Sequence, residues 1–444
     1  MMKLMKVGLG LTVGLVSLGV MNVNGSEEAV DSNTRFALEL YHQLASEKEG
    51  ENMFFSPYSV SNALAMTAEG AREGTAMEMG KVLGLPKSAL AKDDKSRPWN
   101  LKVLHEGISA LNSKFNRDHK PYQLSVANAI WGERSFPFND KYVEAINGSY
   151  GTNSLRDANF VGASEAERLR INTWVEDKTE NRIKDLLPEG SVNGLTRLVL
   201  TNAIYFKGDW KTQFIESATT EGDFHLSNGE KSKAKLMNKT NMGGVGYAAF
   251  NADGSQFKTP AVIARGEKVA TYPGDDGFSM VELPYKGDEL SMVVIAPRSP
   301  DGLQKIEEQM NAESLTTWIG QLRERKVHVT LPKFKSETEY TLNSGLAKMG
   351  MPSAFQAAAN FNGLQAGESE NDLYISLVVH KAFVEVNEEG TEAAAATGVV
   401  LLTRSARIDT SFVPVFRADR PFIYLIRDKE SGSILFLGRM NNPS

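Results

Sequence analysis

The chain has 444 residues, with 49 lysines and arginines against 55 aspartates and glutamates, so its formal charge of −6 makes it mildly acidic. This balance argues against a general nucleic-acid-binding protein, and a content of 41% hydrophobic residues excludes wholesale disorder. Cysteine is absent, which excludes disulfides, thiolate zinc sites, iron–sulfur clusters and a cysteine nucleophile.

The first 25 residues have the pattern of a secretory signal peptide. Lys3 and Lys6 precede an apolar run over residues 7–21, and small residues follow before Ser26. The apolar run is shorter than the roughly 20 residues needed to span a bilayer, so no membrane anchor is expected. The sequence predicts a signal peptide over residues 1–25 and secretion to the periplasm or the extracellular space.

Helical periodicity dominates the first part of the remaining chain, residues 27–190, and Ser56 followed by Pro57 is a good helix start. A strand is predicted within this region at residues 124–131. After residue 196, short apolar runs bounded by turns predict further strands. These predicted strands lie at residues 198–206, 280–283, 290–296 and 327–331, and predicted helices at about 301–322 and 342–349.

Strands and helices are interleaved without the regular alternation of a doubly wound sheet, so the predicted fold class is α+β. No linker and no repeat divides residues 26–444, which indicates one large domain. The polar, glycine-containing stretch 242–266 is the best candidate for a loop inserted between two strands.

A search for enzyme signatures is negative. There is no Gly-x-Ser-x-Gly nucleophile elbow and no His-Glu-x-x-His zinc motif. The six histidines never lie three or four residues apart, so no single helix or strand presents two of them as metal ligands. We therefore expect no enzyme, no metal site and no cofactor.

The most unusual stretch is residues 388–405, in which small residues are followed by apolar ones. At the two-residue period of a strand, one face of this stretch has no charge over residues 391–402. Four alanines and Gly398 have poor strand propensity, so the stretch is poised between loop and strand. The neutral face consists of Thr391, Ala393, Ala395, Thr397, Val399 and Leu401.

Four segments, in chain order, resemble the serpin family, and the resemblance covers essentially the whole chain after residue 25. Together they are a strong signature, whereas any one alone would be moderate. They are residues 52–75 with Ser56-Pro57, residues 201–210 ending at Trp210, residues 379–394 with His380, and residues 416–426 with Asp419-Arg420-Pro421.

The resemblance implies an irreversible suicide inhibitor of serine proteases that offers an exposed reactive loop, residues 388–410, as bait. In that family the scissile residue is usually the seventeenth counted from the hinge glutamate, and counting from Glu388 reaches Arg404. Cleavage is therefore expected between Arg404 and Ser405. An arginine there suits trypsin-like proteases, whose specificity pocket holds a carboxylate.

Alternatives to this site stay open. Arg407 would be cut if the loop were used in a longer register, and Leu402 would suit a chymotrypsin-like or subtilisin-like enzyme. A non-inhibitory serpin acting as a carrier, chaperone or other binding protein is the alternative function. The expected partner is a trypsin-like protease, held as a covalent acyl-enzyme by a monomeric inhibitor.

The resemblance also implies a fold with a mainly helical N-terminal half, a large central sheet and smaller sheets. It assigns a hinge that enters the central sheet after cleavage, and side chains that control the opening of that sheet. The implied hinge residues are Glu388, Gly390, Thr391, Glu392, Ala393, Ala394, Ala395 and Ala396. The implied sheet-opening residues are Ser56, Asn202, His380 and Trp210.

Overall fold

The computed structural model describes residues 23–91, 93–263, 268–366, 373–391 and 411–444. Within these residues, no helix is both long enough and apolar enough to cross a membrane. The helices are α1 Val23–Glu47, α2 Pro57–Gly70, α3 Glu73–Val82, α4 Lys102–Asn116, α5 Asp140–Tyr150, α6 Phe160–Lys178, α7 Leu303–Gln309, α8 Ala312–Gly320 and α9 Asn343–Met349. The first eight strands are β1 Met53–Phe55, β2 Tyr122–Glu133, β3 Leu155–Ala158, β4 Leu198–Asp209, β5 Thr220–His225, β6 Lys231–Phe250, β7 Gln256–Phe257 and β8 Phe278–Pro284. The others are β9 Leu290–Pro297, β10 Arg323–Pro332, β11 Phe334–Thr341, β12 Ile375–Val386, β13 Gly390–Thr391, β14 Val415–Arg417, β15 Phe422–Asp428 and β16 Ile434–Met440.

The strands form two sheets, which confirms the α+β class. The ten-stranded sheet has the order β1-β16-β15-β9-β8-β6-β10-β14, with β5 and β7 also paired to β6. The six-stranded sheet has the order β11-β12-β13-β4-β2-β3. Helix α2 contacts β2 and β4 of the smaller sheet and β16 of the larger one, so the two sheets share one core around this helix.

Helix α2 begins where the sequence predicts. The Ser56 side chain accepts a hydrogen bond from the Ser59 N–H at 3.1 Å, and Pro57 occupies the first helical position. A serine cap satisfies one of the free N–H groups at a helix start, and proline has no N–H to leave unpaired there. This start fixes Ser56 beneath the six-stranded sheet.

The single helix predicted over residues 301–322 is wrong, because the chain forms two helices there, α7 and α8. The Asn311 side chain accepts hydrogen bonds from the N–H groups of Glu313 and Ser314, both at 3.0 Å. The Ser314 hydroxyl in turn accepts the Asn311 N–H at 2.9 Å. This reciprocal cap starts a new helix, and the hydrophobic periodicity continues across it and conceals the break.

The inserted loop predicted at residues 242–266 begins too early. Residues 242–250 belong to β6, which pairs with β10 and, from Gly246 to Phe250, with β8. The glycines of this stretch suggest a loop, but Gly244, with φ at +73°, lies in a strand whose register shifts at this point. The insertion therefore starts after Phe250 and ends before β8.

Candidate functional site

The candidate site lies where β4 and β12 separate at one end of the six-stranded sheet. The two strands run parallel and pair directly from Ile375 opposite Leu198 to Phe383 opposite Tyr205. Beyond Phe383 they no longer pair with each other, and the two-residue strand β13 lies between them. It is antiparallel to both neighbours, with Thr391 opposite Gly208 on one side and Val386 on the other.

A tight turn over residues 387–389 directs β13 back into the sheet. The Asn387 side chain accepts hydrogen bonds from the N–H groups of Glu389 and Gly390, at 3.0 and 3.2 Å. The Asn387 N–H donates to the Gly390 carbonyl at 2.9 Å. Asparagine favours such turns because its side chain bonds the backbone two residues on.

Gly390 lies at the closest approach of the hinge to β4. A Cβ atom at this position would be 2.1 Å from the Gly208 carbonyl oxygen and 2.6 Å from the Asp209 Cα. No side chain fits at these distances, so β13 can pair with β4 only if residue 390 is glycine.

Thr391 is fully buried and contacts the second sheet. Its hydroxyl and the Tyr285 hydroxyl share a hydrogen bond of 2.7 Å, and Tyr285 stacks on Trp210 with ring centres 4.7 Å apart. Burial raises the pKa of Tyr285 far above its usual range, so this hydroxyl stays neutral. Sequence reasoning missed Tyr285, because its contact with the hinge joins distant segments and no local pattern indicates it.

Glu388 anchors the turn before the hinge. Its carboxylate accepts hydrogen bonds from Lys333, at 2.7 Å, and from the Thr219 hydroxyl, also at 2.7 Å. Burial alone raises the pKa of Glu388, but these two partners outweigh burial and hold the pKa below its usual value. Lys333 and Thr219 were also missed by sequence reasoning, since nothing local links either residue to the turn.

Trp210 lies at the hinge rather than near the other predicted sheet-opening residues. Its ring N–H donates to the Asn387 carbonyl at 3.0 Å, and its backbone N–H donates to the Glu389 carbonyl at 2.7 Å. Trp210 follows the last residue of β4, whereas Asn202 lies near the middle of that strand. It therefore supports the turn.

The other three predicted sheet-opening residues do meet, beneath the paired part of β4 and β12. His380 lies opposite Asn202 in the register, and its Nε2 accepts the Ser56 N–H at 2.9 Å. The Ser59 hydroxyl links the cluster to Asn128 at 2.5 Å. Burial lowers the pKa of His380 to about 3, so the ring is neutral. Neither Ser59 nor Asn128 was identified from the sequence.

The remaining predicted site residues fall in the range 392–410, which lies outside the described residues. They are Glu392, Ala393, Ala394, Ala395, Ala396, Leu402, Arg404, Ser405 and Arg407. Within the described ranges, no group of three or more histidine, aspartate and glutamate side chains could hold a metal ion.

Comparison with known proteins identifies the family. A family model described as "Serpin (serine protease inhibitor)" matches residues 31–443. The human leukocyte elastase inhibitor is 37% identical over 424 residues, which cover 94% of this chain and 100% of that protein. Serpin B6 of Pongo abelii is 38% identical over 416 residues, which cover 93% of this chain and 99% of the relative.

Solved structures show the same fold. Uncleaved ovalbumin superposes with a TM-score of 0.74 at 27% identity, covering 94% of this chain and 100% of ovalbumin. Human thyroxine-binding globulin in complex with its hormone superposes with a TM-score of 0.76 at 25% identity, covering 95% of this chain and 100% of the globulin.

The prediction of a secreted protein is wrong, and the matched relatives do not support the signal peptide predicted over residues 1–25. The matched relatives, leukocyte elastase inhibitor and serpins B6 and B3, belong to a group of intracellular serpins without signal peptides. In the structure, helix α1 already begins at Val23, so the predicted boundary after residue 25 falls inside a helix. The other residues of the predicted signal peptide, 1–22, lie outside the described residues.

The family match spans nearly the whole chain, from residue 31 to residue 443. Members of this family bind target serine proteases as inhibitors and are not enzymes in the catalytic sense. The chain belongs to the serpin family of serine protease inhibitors.

Proposed function

We propose that this protein is an irreversible inhibitor of trypsin-like serine proteases. The protease cuts between Arg404 and Ser405, and the cut loop then inserts between β4 and β12 before the acyl-enzyme is hydrolysed. The observation that carries the proposal is β13, because both of its residues pair with β4 and Thr391 also pairs with β12, at the end where the loop would enter.

The register of β13 supports this route. If the pairing of Thr391 with Gly208 continues along β4, residue 401 comes opposite Leu198, the first residue of that strand. Alternate residues then share the buried side of Thr391. These residues are Ala393, Ala395, Thr397, Val399 and Leu401, opposite the buried Phe206, Ile204, Asn202, Leu200 and Leu198.

The chemistry of the inward face agrees with such an insertion. The residues that would turn inward have no charge, so no charged group has to be desolvated. Thr397 would lie between Asn202 and His380, where the buried Asn202 Nδ2 has no hydrogen-bond partner among the described residues. A threonine hydroxyl at that place supplies an acceptor, which removes the cost of an unsatisfied donor.

Insertion also replaces one row of sheet hydrogen bonds by two. The direct pairing of β4 with β12 is lost, and each strand gains a new antiparallel neighbour. Each additional bond contributes about 1 kcal/mol net, so a strand of this length drives the reaction strongly. The 15 residues 390–404 extend roughly 50 Å as a strand, and the bound protease would be carried over that distance.

The target class follows from residue 404. The human relative is named for elastase, but this chain has arginine at the expected scissile position. A guanidinium pairs strongly with a carboxylate in a specificity pocket, which favours a trypsin-like protease. Leu402 and Arg407 are the competing scissile residues.

The test is a denaturing gel of the full chain mixed with trypsin. We expect a band that survives boiling, at the mass of trypsin joined to residues 1–404, and a released fragment that begins at Ser405. Arg404→Ala should abolish this band, whereas the matched control Arg407→Ala should keep it. Parallel mixtures with chymotrypsin and elastase test Leu402.

One outcome would favour the alternative function. Thyroxine-binding globulin, a serpin fold solved with a bound hormone, shows that this fold also serves binding. If every protease cuts the chain and leaves active enzyme without a covalent band, the inhibitor proposal is wrong and a binding role takes its place.

A further inference from the structure

The insertion between β6 and β8, residues 251–277, reaches the chain that follows the reactive loop. Residues 251–263 and 268–277 of this insertion are described. It first turns back as β7, in which Phe257 pairs with Ala249 at the end of β6. The insertion then lies alongside residues 411–417, which we call the distal stem.

Backbone contacts join the insertion to the distal stem. The Phe412 N–H donates to the Ala261 carbonyl at 2.8 Å, and Val262 forms an antiparallel bridge with Ser411. The Arg325 guanidinium of β10 donates to the carbonyl of Pro260 at 3.2 Å and to that of Phe412 at 2.8 Å. One side chain thus holds both segments together.

Tyr272, in the second half of the insertion, adds side-chain contacts. Its ring packs edge-on against Phe412, with ring centres 5.9 Å apart. Its hydroxyl accepts the Val415 N–H at 3.2 Å, and the Arg298 guanidinium lies 4.9 Å from the centre of its ring. The distal stem is therefore held by the insertion as well as by its three-residue pairing with β10.

This attachment matters because the loop is tied at both ends. The hinge end is β13, and the other end is the distal stem, which lies on β10. The end of β10 leads directly into β11, whose Phe334 pairs with Val386 beside the hinge. Both ties are thus at the same end of the six-stranded sheet.

An uncut loop cannot insert fully while the distal stem is held. If residues 390–404 entered the sheet, they would extend roughly 50 Å away from the hinge. Only residues 405–410 would remain to return to Ser411, and these reach about 25 Å at full extension. Insertion without cleavage therefore requires the distal stem to leave β10.

We propose that residues 251–263 and 268–277 form a clamp that keeps the distal stem on β10 and so prevents the uncut loop from inserting, with Tyr272 and Arg325 as positioning residues. This inference rests on the proposed function, since it concerns the same loop. After cleavage the distal stem is no longer connected to the hinge. The clamp therefore prevents only the insertion of the uncut loop.

The experiment follows uncut full-length protein during incubation at a fixed moderate temperature. We compare wild type, Tyr272→Ala and Tyr272→Phe, with Asp253→Ala as control, since Asp253 lies in the same insertion and bonds Ser255 in a turn. Two quantities are measured over time: the fraction that traps trypsin and the unfolding temperature of the uncut chain.

We expect Tyr272→Ala to lose trapping activity about tenfold faster than wild type, the effect of roughly 1.4 kcal/mol on a barrier. Its incubated, uncut form should unfold at a higher temperature than the fresh sample, because a new strand has entered the sheet. Tyr272→Phe should be intermediate and Asp253→Ala unchanged. Equal rates for all variants, or activity loss with a lower unfolding temperature, would overturn the clamp.

The same experiment distinguishes failure of the inhibitor proposal from failure of the clamp. If fresh wild type traps no protease, the inhibitor proposal fails, whereas the rise in unfolding temperature of uncut Tyr272→Ala still reports on the clamp. If fresh wild type traps trypsin and no variant gains thermal stability on incubation, the clamp fails and the inhibitor proposal stands.

Discussion

Thr391 is the hinge residue whose side chain is fully buried in the protein interior. Its side chain is fully buried against Tyr285, so a charged replacement would have to be desolvated there, at a cost of several kcal/mol. We expect Thr391→Arg to be cut by trypsin like a substrate, with little covalent complex. The measurement is the number of inhibitor molecules consumed per protease molecule inactivated.

Thr391→Ser is the matched control for that substitution. It keeps a neutral side chain and the hydroxyl that bonds Tyr285, so it should inhibit at nearly the wild-type stoichiometry. Covalent trapping by Thr391→Arg at the same level as by Thr391→Ser would contradict insertion of this face.

His380 makes stability depend on pH. Its folded pKa of about 3 lies below the ordinary value of 6.5, so the unfolded chain takes up the proton first as the pH falls. The stability contributed by the neutral ring is complete above about pH 6.5 and is lost progressively as the pH falls toward 3. Each pH unit in this window costs up to about 1.4 kcal/mol.

This dependence can be measured by denaturant unfolding between about pH 7.5 and 5, above the range in which carboxylates titrate. Wild type should lose stability over this window, whereas His380→Gln should show a smaller slope whatever its absolute stability. A slope that is unchanged in the variant would mean that His380 does not dominate the acid sensitivity.

At the scale of single elements, the sequence predicted those whose cause is local. Helix α2 starts at Ser56-Pro57 because its cap and its first residue are adjacent, and β9 is an apolar run that is buried throughout. The division into α7 and α8 was missed, because one side-chain cap interrupts a continuous periodicity. The end of β6 was missed, because its glycines resemble those of a loop.

The candidate site was predicted in part for the same reason. The hinge motif supplied Glu388, Gly390 and Thr391, since these lie together in the chain. Their partners Lys333 and Tyr285 lie in distant parts of the chain, just after β10 and β8, and have no distinguishing local pattern. Only the tertiary fold brings them together, and the same is true of the contact between Tyr272 and Phe412.

At the scale of the whole molecule, the six-stranded sheet has a place for one more strand. This place is the line along which β4 and β12 pair directly, which we call the seam. Strands β4 and β12 share one row of hydrogen bonds, although β13 shows that the sheet can admit a strand between them. The proposed mechanism requires the chain with that strand inserted to be more stable than the intact fold. On the clamp proposal, the tie at the distal stem holds the intact protein kinetically in the uninserted state.

This leads to a prediction for the cut protein. Cleavage at or beside Arg404 by a protease that the chain does not trap should raise the unfolding temperature, because the freed loop adds a central strand with two rows of hydrogen bonds. Most proteins lose stability when a peptide bond is cut, so the sign of the change is diagnostic. Scanning calorimetry before and after cleavage measures it, and mass spectrometry confirms the site.

Thr391→Arg is the control that links this gain to insertion. The variant should be cut at the same bond, but its unfolding temperature should rise much less, because the charged hinge residue resists burial. An equal rise in both proteins would show that the stabilisation comes from somewhere other than the seam between β4 and β12. No rise in wild type would mean that the seam stays closed after cleavage, and a trapped acyl-enzyme would then need another explanation.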